Sequence, residues 1–145
     1  MSESRSDSFG VALHETARAW RLKLDQRLRP LGLSQAKWRT ILIVSREAGG
    51  LTQKELAERL GVEGPTLVRL LDRLAADGWV ERQDCPNDRR SKRVVLRERA
   101  KEGLRQIEEV AASLRHELLE GIPEQDLLRC IDLLERIKAR AESLE

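Results

Sequence analysis

Between Thr52 and Arg97 the chain reads TQKELAERLGVEGPTLVRLLDRLAADGWVERQDCPNDRRSKRVVLR, and few folds satisfy that stretch. Thr52-Gln-Lys-Glu55 has the form of a capping box, in which the threonine hydroxyl accepts from the Glu55 backbone N–H and the glutamate reaches back to the Thr52 N–H. It predicts a short helix with Leu56, Ala57 and Leu60 on its apolar face. Gly61 permits the left-handed backbone of a tight turn, with Val62 tucked beneath it. Gly64-Pro65 opens a second helix, where proline needs no donor, and Leu67, Leu70, Leu71 and Leu74 form its buried side until Asp77-Gly78 closes it. Small Ala57, the turn glycine and the leucines at this spacing predict a helix-turn-helix, whose second helix can lie in the major groove of duplex DNA. A helical hairpin that contacts only proteins meets the same requirements, so this pattern leaves both uses open.

The next residues favour DNA. Trp79-Val80-Glu81-Arg82 and Lys92 to Leu96 are strand-like runs joined by a turn-rich segment, Gln83 to Ser91, that contains Cys85-Pro86-Asn87-Asp88. They predict a β-hairpin wing with Arg89, Arg90 and Lys92 at or near its tip, placed to enter a minor groove or neutralise phosphates. Asp88 is expected to pair with Arg90 and hold its guanidinium in one orientation. Formal net charge is only +2, but Arg82, Arg89, Arg90, Lys92, Arg93 and Arg97 face only Asp84 and Asp88 between positions 82 and 97. A solvated basic turn is the plain alternative, and the upstream helical pair argues against it.

The flanking sequence reads as helices. Residues 1 to about 6 are expected to form a disordered tail, after which Asp7 or Ser8 caps a helix to about Arg29 with Leu13, Ala17, Trp20, Leu24 and Leu28 on one stripe. Pro30 and Gly32 end it; Ser34 caps the next helix, which runs to about Glu47 with Trp38, Ile41, Leu42 and Ser45 inside. Beyond the wing, Ala100, Leu104, Ile107, Ala111, Leu114 and Leu118 mark a fifth helix. Cys130, Leu134, Ile137, Ala141 and Leu144 mark a sixth from near Pro123. One winged lobe is too small to cover both stripes. A helical homodimer interface, with Cys130 inside it, is the expected outlet, and an intramolecular hairpin is the alternative. The fold expected is therefore mainly α with a small β-hairpin wing: six helices in one domain over 1–145. Residues of about 7–32 and 98–145 would dimerise, and about 34–97 would form the winged helix-turn-helix lobe.

Three segments, RAWRLKLDQRLRPLGLSQAKW, LAERLGVEGPTLVRLLDRLAADGWVERQ and CPNDRRSKR followed by VVL, resemble the MarR family of bacterial winged-helix regulators, and within it the SlyA-like branch. The resemblance covers nearly the whole chain. It implies an intertwined homodimer that carries two winged lobes to successive major grooves of an inverted-repeat operator, with half-sites about one helical turn apart. Base reading would fall to Pro65, Thr66, Arg69 and Arg73 on the recognition helix. Arg69 matches by position the recognition-helix arginine of SlyA-like proteins; its alternatives are a phosphate clamp or an intrahelical pair with Asp72. Gln53 and Lys54 would hold phosphates at the start of the preceding helix. The resemblance also implies release by small aromatic carboxylates held by Arg18, Arg21 and Trp38, although Trp38 reads equally well as core and the arginines as solvated. Arg97 departs from the family, which usually has threonine there to cap the fifth helix.

Enzyme chemistry finds little to work with. His14 and His116 are far apart, no phosphate-binding glycine loop or nucleophile motif appears, and neither a cofactor nor a metal is expected. A cysteine-based redox sensor of the same fold is the rival reading, because Cys85 lies beside Arg82, Arg89 and Arg90 in sequence. The polar start MSESRSDSFG and the lack of a long apolar run predict a cytoplasmic protein without a membrane partner.

Overall fold

The computed structural model describes residues 5–145, apart from the side chains of Ser6 and Arg89. It contains six α-helices and a three-stranded antiparallel sheet: α1 Phe9–Leu28, α2 Gln35–Ser45, β1 Leu51–Thr52, α3 Gln53–Leu60, α4 Gly64–Ala76, β2 Val80–Cys85, β3 Asp88–Leu96, α5 Glu98–Leu119 and α6 Glu124–Ser143. Contacts divide the chain into two units, one ending at Ala112 and the other running over Ser113–Glu145.

Local chemistry sets the helix ends. Ser34 caps α2 by accepting from the Lys37 N–H at 3.3 Å, and Thr52 caps α3 by accepting from the Glu55 N–H at 3.2 Å. The capping box is only half made: among the described residues the Glu55 carboxylate makes no return bond, and Thr52 is instead the second residue of β1, opposite Arg93. At α1 the Ser8 side chain does not cap the helix. Ser8 occupies the N-cap position with helical backbone angles, because a 3-10 turn over Arg5–Ser8 precedes it. Its hydroxyl donates to the Arg5 carbonyl at 2.8 Å. Residues 1–4 of the expected tail lie outside the described residues. Gly61, at φ +69°, ends α3 as the turn requires.

The sheet order is β1-β3-β2, so the wing gains a strand that the sequence pattern did not show. Gly50, at φ +78°, brings the chain against β3; a Cβ there would lie 2.2 Å from the Val94 carbonyl oxygen. The Arg93 guanidinium fastens the same turn by donating to the Gly49 carbonyl at 3.1 Å. Beneath the sheet Val44, Leu51, Leu56, Leu60, Leu67, Leu71, Leu74, Val80 and Val94 form one buried core. This core holds α3 and α4 at a fixed angle to the wing. Trp79 packs so closely over Gly103 of α5 that a Cβ there would sit 2.6 Å from its ring, and the Lys37 and Arg99 cations lie 5.0 and 4.7 Å from the ring centre.

In the unit Ser113–Glu145, α6 has no buried residue. Leu128, Ile131, Leu133, Leu134 and Ile137 are all exposed, and so is Cys130.

Candidate nucleic-acid interface

The recognition helix α4 turns Leu67, Leu71 and Leu74 into the core, which by helical geometry leaves Pro65, Thr66, Arg69 and Arg73 outside; all four are exposed. Asp72 is the one acid within a helical turn of Arg69, and it is engaged elsewhere: Arg82 of β2 donates from Nη2 to Asp72 Oδ1 at 2.6 Å. Among the described residues Arg69 and Arg73 therefore have no carboxylate partner.

The wing contributes cations from β3, because the hairpin turn is shorter than the sequence pattern suggested. Cys85 pairs with Asp88, leaving Pro86 and Asn87 at the bend, so Arg90 and Lys92 sit on a strand behind the tip. Asp88 does not orient the Arg90 guanidinium. Its Oδ1 accepts from the Arg90 backbone N–H at 2.9 Å and its Oδ2 from the Ser91 hydroxyl at 3.1 Å, an Asx-type turn that uses the carboxylate locally. The Arg90 guanidinium is thus left without an acceptor among the described residues. Lys92 differs: its register partner across the hairpin is Asp84, and the two form an ion pair. The Arg89 side chain lies outside the described residues.

A groove of about 520 Å³ joins these parts. Gln53 and Lys54 at the start of α3 form one bank, Arg90 to Lys92 the other, and Leu67 and Val68 of α4 the floor. The N-terminal turn of α3, with exposed Lys54 on it, adds the helix dipole to this bank, although Glu58 of the same helix also lines the groove and Glu55 stands in that first turn. Phosphate-sized anions are the species such a surface attracts.

A second cavity, of about 360 Å³, opens between α1 and α2 and is lined by apolar atoms of Trp20, Leu24, Trp38 and Leu42 with Arg21 and Arg39 at its edge. Of the three residues expected at an effector crevice, Arg21 and Trp38 are brought together and Arg18 is not among the lining residues. Trp38 is buried, and its Nε1 donates to buried Asp25 at 3.4 Å, so the ring is held as a wall. Arg39 was not expected. Burial and then the Arg21 charge hold its guanidinium below the ordinary arginine range, so an anion placed between the two would relieve both.

Residues 31–91 match the model of the MarR family. The crystal structure of the transcriptional regulator PA3341 superposes with a TM-score of 0.86 at 47% identity, over 94% of this chain and 99% of that one. The chain belongs to the MarR family of transcriptional regulators. Its winged helix-turn-helix, with six helices and a small antiparallel wing, is the MarR fold. Apo MarR from E. coli matches at 28% identity and a TM-score of 0.74, over 89% of this chain and 95% of that one. A MarR regulator from Methanosarcina mazei Go1, 22% identical, shares the fold with a TM-score of 0.82, over 96% of this chain and 99% of that one. In this MarR-family chain Arg69, Arg73 and Arg90, singled out from the sequence, are exposed, whereas the place of Arg39 at the second cavity and the bond from Arg82 to Asp72 were not read from the sequence pattern. Strand alternation puts Arg82 on the same face as buried Val80, which signals a half-covered arginine but not that Asp72 meets it.

Proposed function

We propose that the protein is a homodimeric, sequence-specific DNA-binding regulator of an inverted-repeat operator. Arg69, Arg73, Thr66 and Pro65 meet base edges in the major groove, and Arg90 reaches the adjacent minor groove or its phosphates. Gln53 and Lys54 hold backbone phosphates, while Lys92, which lines the groove, takes a phosphate in exchange for Asp84. The observation that carries this reading is that Arg69 and Arg73 on α4 are exposed and, among the described residues, without a carboxylate partner, while Arg90, likewise without an acceptor, lines a groove that also takes in Leu67 and Val68 of α4. SlyA-like character, read from the recognition-helix and wing motifs, belongs to the same proposal.

Selection of duplexes from a random library tests it. Arg90→Ala should weaken binding to all duplexes and lower the salt slope by about 1, whereas Arg69→Ala should cost about 1 to 3 kcal/mol of discrimination at one base step. Two variants with unchanged affinity and selectivity refute the assignment.

The cavity between α1 and α2 supports release by a small aromatic carboxylate, with Trp20 and Trp38 as ring walls and Arg21 with Arg39 as the anion pair. Titration with benzoate-type acids, followed by tryptophan fluorescence and by loss of the DNA complex, checks this. Arg39→Ala should abolish the response without changing DNA affinity in the absence of the acid.

A further inference from the structure

We infer that Arg82 is a positioning residue for base reading: it occupies Asp72 and so keeps the Arg69 guanidinium unpaired on the recognition helix. This rests on the proposal that Arg69 reads bases. On a helix, Asp72 meets only the side chains three and four positions away, which are Val68, Arg69, Ala75 and Ala76. Arg69 is the one cation in that set. Arg73, adjacent in sequence, projects in a different direction. Left to the helix alone, Asp72 would draw Arg69 sideways into an i,i+3 pair and take its donors from the major groove.

The wing prevents that. Arg82 lies on β2, and its Nη2 makes two bonds to α4: 2.6 Å to Asp72 Oδ1 and 3.1 Å to the Val68 carbonyl oxygen. The second bond anchors the guanidinium to the helix backbone one residue before Arg69, so Asp72 is held toward the wing side of α4. The Arg82 side chain is 27% exposed against 59% for Asp72, so the cation comes from inside the lobe and the carboxylate bends to meet it. A bare surface pair would be worth little; the shared carbonyl and the more covered position make this one directional.

The test uses the full-length protein and measures the affinity ratio between the duplex that the wild type enriches from a random library and a scrambled duplex of the same composition. A ratio cancels the general effect of removing or exposing charge. Arg82→Met, which keeps the packing of the stem, should lower the ratio about threefold, the scale of one released helical ion pair with a modest loss of bracing. Arg82→Met with Asp72→Ala should restore it, although the bridge from wing to helix is still absent. If the ratio survives Arg82→Met, or if the double variant stays as low as the single, Arg82 is a brace and the inference is wrong. Arg82→Lys, expected to fall between the wild type and Arg82→Met, takes the place of the methionine variant should that one not fold. Arg69→Ala separates the two layers. An unchanged ratio there overturns the base-reading proposal itself, whereas a collapsed ratio with no response to Arg82→Met overturns only the present inference.

Discussion

Helices α4 and α6 carry similar apolar spacing and meet opposite fates. In α4, Leu67, Leu71 and Leu74 are 1, 0 and 2% exposed, while in α6, Leu128, Ile131, Leu134 and Ile137 are 60, 51, 38 and 40% exposed. Periodicity states which face must be covered and is silent on what covers it. For α4 the cover is the chain itself, through Val44, Leu51, Leu56, Leu60, Val80 and Val94. For α6 no residue is buried within the chain, and burial worth roughly 25 cal/mol per Å² of apolar surface favours a second copy over water. One region is covered by its own chain, and the other presents an apolar face that its own chain leaves open.

The sharpest way to break that contrast is a charge on α6. Leu134→Asp should convert the dimer to a monomer in analytical ultracentrifugation and weaken operator binding by about a hundredfold or more, because two linked lobes then bind as separate ones. A variant that stays dimeric would place the interface elsewhere. Truncating α4 should do the reverse. Leu71→Ala, fully buried in the wild type, should cost about 2 to 5 kcal/mol in urea unfolding through lost burial and a cavity, whatever the oligomeric state. Gly50→Ala acts in the same lobe with a smaller effect. Its positive φ and the Val94 carbonyl 2.2 Å from the new Cβ should cost at least about 1 kcal/mol and loosen β1 from β3, read as faster amide exchange at Leu51 and Thr52.

How much of this was legible in the sequence depends on the distance over which each contact is decided. Ser34, Thr52 and Gly61 act on neighbours three or four residues away, so their roles could be read directly. Strand β1 could not: two residues have no alternation, and Leu51 becomes a strand only because Val94 lies opposite it. The pairing of Asp88 with the Arg90 guanidinium was a reasonable charge argument that lost to the nearer backbone N–H, and Lys92 was taken by Asp84 once the hairpin register set them face to face. Arg82 and Arg39 were hidden for the same reason. Their partners, Asp72 and Arg21, are set by how β2 packs on α4 and α2 on α1, which no local pattern encodes.

The smallest expected effect tests the half-made capping box at Thr52. Its hydroxyl satisfies one otherwise orphaned N–H of α3, so Thr52→Ala should cost about 1 kcal/mol and Thr52→Ser almost nothing. A reciprocal box would predict a second loss of similar size in Glu55→Ala. The structure predicts less, because Glu55 contributes only its charge near the positive end of the helix, an effect that moderate salt screens. Equal losses in the two alanine variants would show that the glutamate does reach back in solution. Either way the loss belongs to the lobe: Thr52→Ala should lower the urea midpoint while the sedimentation coefficient stays that of the wild type, since α6 and its exposed stripe lie in the other unit.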